Sequence, residues 1–299
     1  MLHTSPVTPP VQSDATDGHR FRGWARPGPL PPGGIEPLEG ETLDYIAGHF
    51  RIFQLARGHR FSTDDVLTAW YGTQWAPRVD RAADLGSGIG SVAMIVAWRL
   101  PGARMVTVEA QPVSIGLARK SVEYNGLAER YRLLEGDLRD PALFEGEPPF
   151  DLVTGSPPYF PEGTASKAAH PQAVPARVEM RGTVADYAAT AARILAPGGI
   201  FAFVFPFAQR ERAEEALRSS ALVALRRRDV IFKEGEPPML SLFAAARIAD
   251  LPGAFGAGGS WRPVVEPPLT IRTASGMIDA EYATIRMNFG FPPGEPWAE

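Results

Sequence analysis

A short apolar segment that breaks into alternating glycines constrains this chain more than any other feature. Residues 81–85 read RAADL, and the next letters, GSGIGS, place Gly86, Gly88 and Gly90 before a long apolar stretch. This order predicts a strand, a tight loop and a helix. Glycines allow positive φ and leave room for a ligand against the backbone, with the first N–H groups of the helix directed at it. The segment therefore predicts a cofactor site, and the alternative is an ordinary glycine-rich turn.

The spacing of the glycines separates two classes of cofactor loop. A dinucleotide fingerprint has its third glycine five residues after the first, and that position here is Ser91. The third glycine instead comes one residue earlier, and the strand before the loop ends near an acid, Asp84. This GxGxG form resembles the S-adenosylmethionine (SAM) loop of class I methyltransferases more than an NAD site. We assign Asp84, Gly86, Ser87 and Gly88 to cofactor binding.

Two further acids follow the next two predicted strands. The segment RMVTVE ends at Glu109, 19 residues after Gly90, and an acid at this place in a nucleotide-binding βαβ unit accepts from the ribose hydroxyls. The segment YRLLEGD ends at Asp137, which can accept from the exocyclic amine of an adenine. Each acid alone can be a solvated loop residue, but together at successive strand ends they predict a single site. Ala110 and Leu138, the residues that follow them, are included in it.

The segment FSTDDVLTAW, residues 61–70, predicts a helix upstream of the glycine loop. Ser62 or Thr63 can cap it, and Asp64 and Asp65 are favourable near the positive end of its dipole. Both carboxylates can be simple helix-start residues. The functional interpretation places Asp64 against the amino group or sulfonium of SAM, and the sequence leaves both interpretations open.

The fourth predicted strand, FDLVTG at residues 150–155, runs directly into SPPYF. Pro157 and Pro158 fix the backbone and carry no N–H, so this turn offers carbonyl acceptors. The Ser156 hydroxyl and the Pro157 carbonyl can hold the hydrogens of an amine and help to pyramidalise its delocalised nitrogen, while Tyr159 stacks on the flat group beside it. We assign Ser156, Pro157, Pro158 and Tyr159 as catalytic. The alternative is a proline-stiffened loop with a packed tyrosine.

Four motifs in this order and spacing resemble the amino-methylating class I methyltransferases: DLGSGIG, VEAQ, EGD and DLVTGSPPYF. The strand-four motif of those enzymes is (N/D/S)PP(Y/F). With the segments FSTDDVLTAW, RILAPGGIFAFVFP and PLTIR added, the chain is most similar to the bacterial tRNA adenine-N6 methyltransferase family, which modifies an adenine next to the anticodon of a valine tRNA. The resemblance covers residues from about 50 to 291.

The resemblance implies roles for individual residues. The positions matching Gly86, Gly88, Glu109 and Asp137 hold SAM in that family, and those matching residues 156–159 hold the target amine. The family usually has Asn at the place of Ser156. A hydroxyl still accepts a hydrogen bond there but offers no second donor. The resemblance also implies an α/β fold of the doubly wound, Rossmann-like class I methyltransferase type, with a mostly parallel seven-stranded sheet.

Composition excludes several other classes of protein. The chain of 299 residues has no cysteine, which excludes disulfides, thiolate metal sites and a cysteine nucleophile, and its five histidines form no HxxxH or HExxH pair, so no metal is expected. The longest apolar stretch, residues 200–208, is too short to span a bilayer, and no signal-peptide pattern is present, so a cytoplasmic protein is expected. The net charge of −4 argues against indiscriminate binding to polyanions but leaves room for a local basic patch.

Three divisions of the chain follow from its composition. Residues 1–41, rich in Pro, Gly, Ser and Thr, predict a disordered tail; residues 42–80 predict a hairpin and a helix; residues 81–299 form the methyltransferase domain. The segment 161–182 has three prolines and no helical period, and we expect it to order over the substrate. The glycine-rich stretch 250–261 is interpreted as an insertion.

Two groups of arginines are candidates for nucleic-acid contacts. Residues 226–228 are the densest positive cluster and a candidate phosphate contact, although charged residues on a solvated strand edge have the same pattern. Arg20, Arg22 and Arg26 lie beside Phe21 and Trp24, and here solvated tail charges are the favoured interpretation.

The sequence thus predicts SAM-dependent methylation of an exocyclic amine, with adenine N6 in tRNA or other structured RNA as the favoured target. The target base should lie in a loop or be flipped out, because a base inside a duplex cannot reach such a pocket. The alternatives are methylation of the N5 amide of a protein glutamine, which fits the same acceptor pair, and a SAM-binding RNA scaffold without catalysis.

Overall fold

A single mixed sheet forms the centre of the computed structural model, which describes residues 20–21, 24–76, 78–160, 172, 179, 182–251 and 262–294. In chain order the strands are β1 Arg20–Phe21, β2 Trp24–Ala25, β3 Glu41–Tyr45, β4 Arg51–Leu55, β5 Arg81–Leu85, β6 Arg104–Glu109, β7 Tyr131–Glu135, β8 Phe150–Gly155, β9 Leu195–Pro206, β10 Leu222–Ile231, β11 Leu240–Arg247 and β12 Val264–Thr270. The helices are α1 Thr63–Trp75, α2 Ser91–Arg99, α3 Pro112–Tyr124, α4 Val184–Ile194, α5 Arg210–Ser219 and α6 Ala280–Asn288. Short 3₁₀ turns lie at Ala128–Arg130, Pro141–Phe144, Phe207–Gln209 and Ile248–Asp250.

The order of the large sheet is β12-β10-β11-β9-β8-β5-β6-β7. Strand β11 runs antiparallel to both of its neighbours, and all other pairs in this sheet are parallel. The chain order reverses between β5 and β8, so the loops after these two strands diverge and leave a crevice at their carboxyl ends. The predicted doubly wound, mostly parallel α/β fold is confirmed.

The sheet has eight strands where seven were expected. The additional strand is β12, which pairs in parallel with β10 at the edge of the sheet. Its sequence, VVEPPLT, contains two prolines, which cannot donate to a ladder and are therefore tolerated at an edge.

Both faces of the sheet are covered, because the central strands are apolar on both sides. One buried cluster joins the sheet to α1, α2, α3 and α6, and the other joins it to α4 and α5. Strand β9 contributes buried residues to both clusters in alternation, for example Ala202 and Val204 to the first and Phe201 and Phe203 to the second. This alternation is the pattern of a strand buried on both faces.

The hairpin of β3 and β4 is tied to α3 by side-chain hydrogen bonds. Asn125 accepts from the Arg51 N–H (2.9 Å) and donates to the Arg51 carbonyl (2.7 Å). The Ser121 hydroxyl accepts from the Phe53 N–H at 3.0 Å. These bonds satisfy one edge of β4 without a further strand.

The end of the segment interpreted as a disordered tail is ordered against the domain. The Gly33 N–H donates to the Tyr124 carbonyl (3.1 Å), and the Arg26 guanidinium donates to the Gly48 carbonyl (3.0 Å). For residues 24–41 the expected disorder is therefore wrong. The physical reason is that these long-range bonds anchor a segment that has no periodic pattern of its own. The Arg26 guanidinium also lies over the Tyr45 ring, 3.7 Å from its centroid.

Several sequence predictions fall outside the described residues. They concern residues 1–19, most of the segment 161–182 and residues 252–261 of the glycine-rich stretch. Among the helices that the structure describes, none has the length and apolar character needed to cross a membrane.

Candidate functional site

A cavity of about 500 Å³ lies at the carboxyl ends of β5, β6 and β8. It brings together almost every residue that the sequence assigned to the site: Asp64, Asp84, Gly86, Ser87, Gly88, Glu109, Ala110, Leu138, Ser156, Pro157, Pro158 and Tyr159. Asp137 is the exception, since it is not part of the lining. Residues from five separate parts of the chain thus meet at one edge of the sheet, as the topology requires.

The glycine loop between β5 and α2 takes the left-handed backbone that its sequence predicts. The φ angles of Gly86, Gly88 and Gly90 are 59°, 55° and 85°. Glu109 holds this loop, because its Oε2 accepts from the Gly88 N–H at 2.8 Å and its Oε1 accepts from the Gln111 N–H at 2.6 Å. The loop is therefore fixed against the end of β6 by a buried carboxylate.

A tyrosine that the sequence did not single out packs against two glycines of the site. A Cβ at Gly86 would lie 1.9 Å from the Tyr187 hydroxyl oxygen, and one at Gly155 would lie 2.8 Å from the Tyr187 ring. Both positions must therefore lack a side chain for this ring to fit. Tyr187 lies in the buried stripe of α4, whose apolar periodicity indicates packing and carries no separate signal for a site.

Asp84 is a buried carboxylate with an incomplete set of partners. Its Oδ1 accepts from the Thr154 hydroxyl at 2.7 Å, while its Oδ2 is buried without a hydrogen bond. Burial, with a further contribution from the charge of Glu109, raises the pKa of Asp84 to about 7 against the opposing effect of the Thr154 hydrogen bond. Strongly shifted carboxyl groups in a cavity are typical of functional sites.

The SPPYF segment forms the opposite wall of the cavity. The Ser156 hydroxyl is buried and has no hydrogen-bond partner. Tyr159 is held at both ends: its hydroxyl donates to Asp64 Oδ2 at 3.1 Å, and its carbonyl accepts from the Gln209 side chain at 2.8 Å. Its ring meets Phe205 edge-on with centroids 6.1 Å apart. Tyr159 is thus oriented before any ligand arrives.

The two acids at the start of α1 have different surroundings. Asp65 is buried and accepts from the Ser62 N–H at 2.8 Å, which caps the helix. Burial and the charge of Asp64 raise the pKa of Asp65 well above its ordinary value. Both acids line the cavity, but Asp64 accepts from Tyr159 and so connects α1 to the SPPYF segment.

Asp137 lies beside the cavity and binds a neighbouring arginine. Its Oδ1 accepts from the Arg139 N–H and from Arg139 Nε, both at 2.9 Å. A role for Asp137 toward an adenine remains a prediction. Leu138, the next residue, lies in the lining, and its carbonyl accepts from the Thr190 hydroxyl at 3.0 Å.

Gln172 also reaches the cavity, although the sequence offered no signal for it. Its Oε1 accepts from the His59 N–H at 2.8 Å, and its amide donates to the Ser114 hydroxyl at 3.1 Å. These bonds connect the segment that follows Phe160 to the residues before α1 and to α3. Such long-range contacts between isolated polar residues leave no pattern in a single sequence.

Residues 226–228, a candidate phosphate contact from the sequence, each have a partner within the fold. Arg228 is buried and forms two 2.8 Å bonds with Glu281. Arg227 donates to Glu214 at 2.9 Å on the other face of β10. Arg226 lies over the Trp75 ring at 3.9 Å from its centroid. The cluster therefore attaches β10 to the helices on both sides, a use of arginine that charge density alone cannot distinguish from a binding surface.

The residues present suit SAM. Three residues that line this cavity each have a buried polar atom without a partner: Asp84 Oδ2, Ser87 Oγ and Ser156 Oγ. A Cβ at Gly88 would meet no atom within 4 Å, so the backbone there borders open space. Carboxylates suit the two positive groups of SAM and its ribose hydroxyls. Among the described residues, no group of three or more His, Asp or Glu side chains is placed to hold a metal ion.

The chain is similar to known methyltransferases in sequence and in fold. The model described as the methyltransferase small domain matches residues 73–226. The release factor glutamine methyltransferase of Chlorobaculum tepidum is 31% identical over 144 residues, which are 42% of this chain and 48% of that protein. The chain thus spans about half the length of that relative.

A second relative is covered more fully. The tRNA1(Val) (adenine(37)-N6)-methyltransferase of Bacteroides thetaiotaomicron is 30% identical over 187 residues, which are 60% of this chain and 73% of that protein. Among solved structures, a predicted O-methyltransferase from Agrobacterium tumefaciens matches with a TM-score of 0.57 at 23% identity, covering 77% of this chain and 97% of that one. This structural similarity supports the fold alone.

Proposed function

The chain belongs to the methyltransferase small domain family of class I SAM-dependent methyltransferases, and from this membership we propose that it methylates the N6 amine of an adenine in tRNA. The relative from Bacteroides thetaiotaomicron, which acts on tRNA1(Val), supports this target. We further propose that SAM binds in the cavity beside the glycine loop. A tRNA substrate also implies that the reaction takes place in the cytoplasm.

One observation carries the proposal: Ser156, whose hydroxyl is buried without a partner, lines the same cavity as the glycine loop. An unsatisfied buried hydroxyl costs about 1–3 kcal/mol, so its persistence indicates a partner supplied by a ligand. The two prolines that follow carry no N–H, so this turn adds acceptors and no competing backbone donors. An amine with two hydrogens complements such a set of acceptors.

The residues of the chain divide the work of binding and orientation. Bound SAM would supply a methyl group activated by a positive sulfonium. Asp84, Gly88 and Glu109 would hold it, with the loop already fixed by the Glu109 hydrogen bond to the Gly88 N–H. Ser156 would accept one amine hydrogen. Tyr159 would stack on the base, and Asp64 would keep the Tyr159 ring in place by accepting from its hydroxyl.

Orientation is the main contribution of the site to rate. The adenine amine is a weak nucleophile because its lone pair is delocalised into the ring, and hydrogen bonds to its two hydrogens favour the pyramidal form that can attack. Holding this nitrogen in line with the transferred methyl converts a collision into a unimolecular step. The methylated nitrogen then loses its proton to solvent, so no strong base is needed.

Transfer of label from SAM to defined substrates tests the proposal. Unmodified tRNA transcripts, and the same transcripts with the adenine beside the anticodon replaced by guanine, are incubated with the protein and labelled SAM. Nucleoside mass spectrometry should find N6-methyladenosine only in the unsubstituted transcripts. A glutamine-containing release factor is the matched second substrate, because one relative methylates that protein. Label in the release factor and none in RNA would reject the adenine target.

A further inference from the structure

A second cavity, of about 360 Å³, lies beside the start of α1 and has a different character from the first. Aromatic rings form much of its lining: Tyr45, Phe61, Tyr282 and Phe291. Two arginines, Arg26 and Arg286, complete the wall. The residues that line it include no carboxylate. A pocket of flat rings and guanidiniums without an acid is suited to a ligand that is both aromatic and anionic.

The arginines of this cavity lack the ion pairs that most other arginines of the described chain have. Arg286 donates through Nε to the Pro292 carbonyl at 2.9 Å, and Arg26 donates to the Gly48 carbonyl at 3.0 Å. Neither forms a salt bridge with a carboxylate among the described residues. Their positive charge is therefore available to an anion, unlike that of residues 226–228, which is balanced internally.

The wall around Tyr45 concentrates positive charge. The guanidinium of Arg26 lies 3.7 Å from the centroid of the Tyr45 ring, and that of Arg51 lies 4.0 Å from it. Burial lowers the pKa of Arg26, and the charge of Arg51 acts in the same direction. Three buried donors here have no hydrogen-bond partner: Arg26 Nε, Arg51 Nε and the Tyr282 hydroxyl. A bound anion would relieve the repulsion between the guanidiniums.

The two cavities meet at the N-terminus of α1. Ser62 lines both of them. Thr63 and Val66 face the second cavity, while Asp64 and Asp65 line the first. A ligand that extended past Ser62 would contact both linings, as adjacent nucleotides of a single strand would.

We propose that the second cavity is a subsite for a nucleotide that adjoins the methylated adenine, with its base against the aromatic rings and its phosphate on Arg26 and Arg286. This inference rests on the proposed function, since it takes the substrate of the first cavity to be RNA. It explains how a protein with a net charge of −4 binds a polyanion: the charge is local and lies beside the reaction site. It also requires a single-stranded target, because only unpaired bases can stack in such a pocket.

Salt dependence of RNA binding tests the subsite. Fluorescence anisotropy with an anticodon stem-loop RNA is measured over a range of salt for the parent, Arg286→Gln, Arg26→Gln and the double variant. Each lost phosphate contact should flatten the slope of log affinity against log salt by about 0.7, the value for single strands, and weaken binding roughly tenfold. Arg286→Lys should keep the slope because it keeps the charge. The matched control is Arg104→Gln, an exposed arginine at the amino end of β6, on the opposite edge of the sheet.

The outcomes separate this inference from the function on which it rests. If the parent methylates the RNA and the variants keep its slope, the subsite is rejected and the function stands. If no RNA is methylated but the variants lose affinity and slope, the nucleotide subsite is supported and the function is rejected. SAM affinity should be unchanged in every variant. Photocrosslinking of a thiouridine-labelled stem-loop to the parent gives a second measurement that does not depend on variant stability: crosslinks to peptides with Phe61 or Phe291 support the subsite, and crosslinks confined to other peptides overturn it.

Discussion

The hydroxyl of Tyr159 donates a 3.1 Å hydrogen bond to Asp64, which joins residues 95 positions apart. Asp64 lies in the first turn of α1, and Tyr159 lies in the SPPYF segment that follows β8. Burial, the charge of Asp64 and this hydrogen bond raise the pKa of Tyr159 well above its ordinary value, so the phenol stays protonated and remains a donor. The bond thus fixes the ring that we propose stacks on the target base.

This hydrogen bond can be separated from stacking by two substitutions. Tyr159→Phe keeps the ring and loses the bond to a charged acceptor, and Tyr159→Ala loses both. We expect Tyr159→Phe to cost about 1.5–3 kcal/mol of activation free energy at most, and Tyr159→Ala to add about 1–3 kcal/mol for the lost stacking. Single-turnover rates on a methyl-free RNA measure both. A rate for Tyr159→Ala equal to that of the parent would show that the target is not a stacked base.

Ser156 is expected to contribute less than Tyr159, because its single hydroxyl rotates freely while the Pro157 carbonyl belongs to a rigid backbone. Ser156→Ala should therefore slow methyl transfer less than Tyr159→Ala does. Ser156→Asn should retain or raise activity on adenine, since Asn offers a more fixed acceptor at the same place. The same single-turnover assay ranks the three variants. Complete loss of activity in Ser156→Asn would show that the site is shaped for a different amine.

Two glycines with the same backbone conformation form a matched pair for testing where SAM lies. Gly88 has φ of 55° and Gly235 has φ of 85°, and a Cβ at either would meet nothing within 4 Å. Each Gly→Ala change should therefore destabilise the fold by a similar amount, about 1–2 kcal/mol for the left-handed conformation. Only Gly88→Ala should weaken SAM binding, because its methyl enters the cavity. Calorimetry and urea unfolding measure the two effects, and equal SAM affinity in both variants would remove Gly88 from the site.

Glu109 is expected to act on SAM affinity directly and through the loop. Glu109→Ala should weaken SAM binding by about 1.5–3 kcal/mol for the lost bonds to a charged group. Glu109→Gln keeps an acceptor for the Gly88 N–H and should lose less. Titration calorimetry compares the three proteins. Unchanged affinity in Glu109→Ala would show that this carboxylate only supports the loop.

The raised pKa of Asp84 predicts a pH-dependent stability in the absence of ligand. Below the ordinary value of 3.8 the carboxyl is protonated in both folded and unfolded chains. Between 3.8 and about 7 the unfolded chain releases the proton while the folded chain keeps it, so stability falls as pH rises through this interval. Above that range the penalty is complete and constant.

Asp84→Asn isolates this effect, because an amide keeps the acceptor for Thr154 and cannot ionise. We expect the variant to be more stable than the parent, by an amount that grows from pH 4 to 7 and then levels off. Urea unfolding of both proteins across this interval gives the difference in their free energies of unfolding. The contributions of groups that titrate alike in both proteins cancel in this difference. A difference that does not vary with pH would show that Asp84 titrates normally in the folded chain.

Local sequence predicted the backbone structure of the contiguous parts of the candidate site. The glycine loop, the acid at the end of β6 and the SPPYF segment each carry their own pattern, since backbone conformation at glycine and proline is decided by the residue itself. The parallel order of strands then requires their carboxyl ends to meet, so the collection of these residues in one cavity also follows from the sequence.

Only the tertiary structure decided which polar side chains face one another. Arg226 and Arg26 are both arginines in locally basic segments, yet the first lies over Trp75 within the fold, and the second lines a cavity without a carboxylate. Two further contacts join residues that are distant in the chain: the packing of Tyr187 against Gly86 and the hydrogen bond from Tyr159 to Asp64. The physical reason is that the energy of a charge or hydroxyl depends on its partner and its burial, and both are properties of the folded arrangement and not of the residue type.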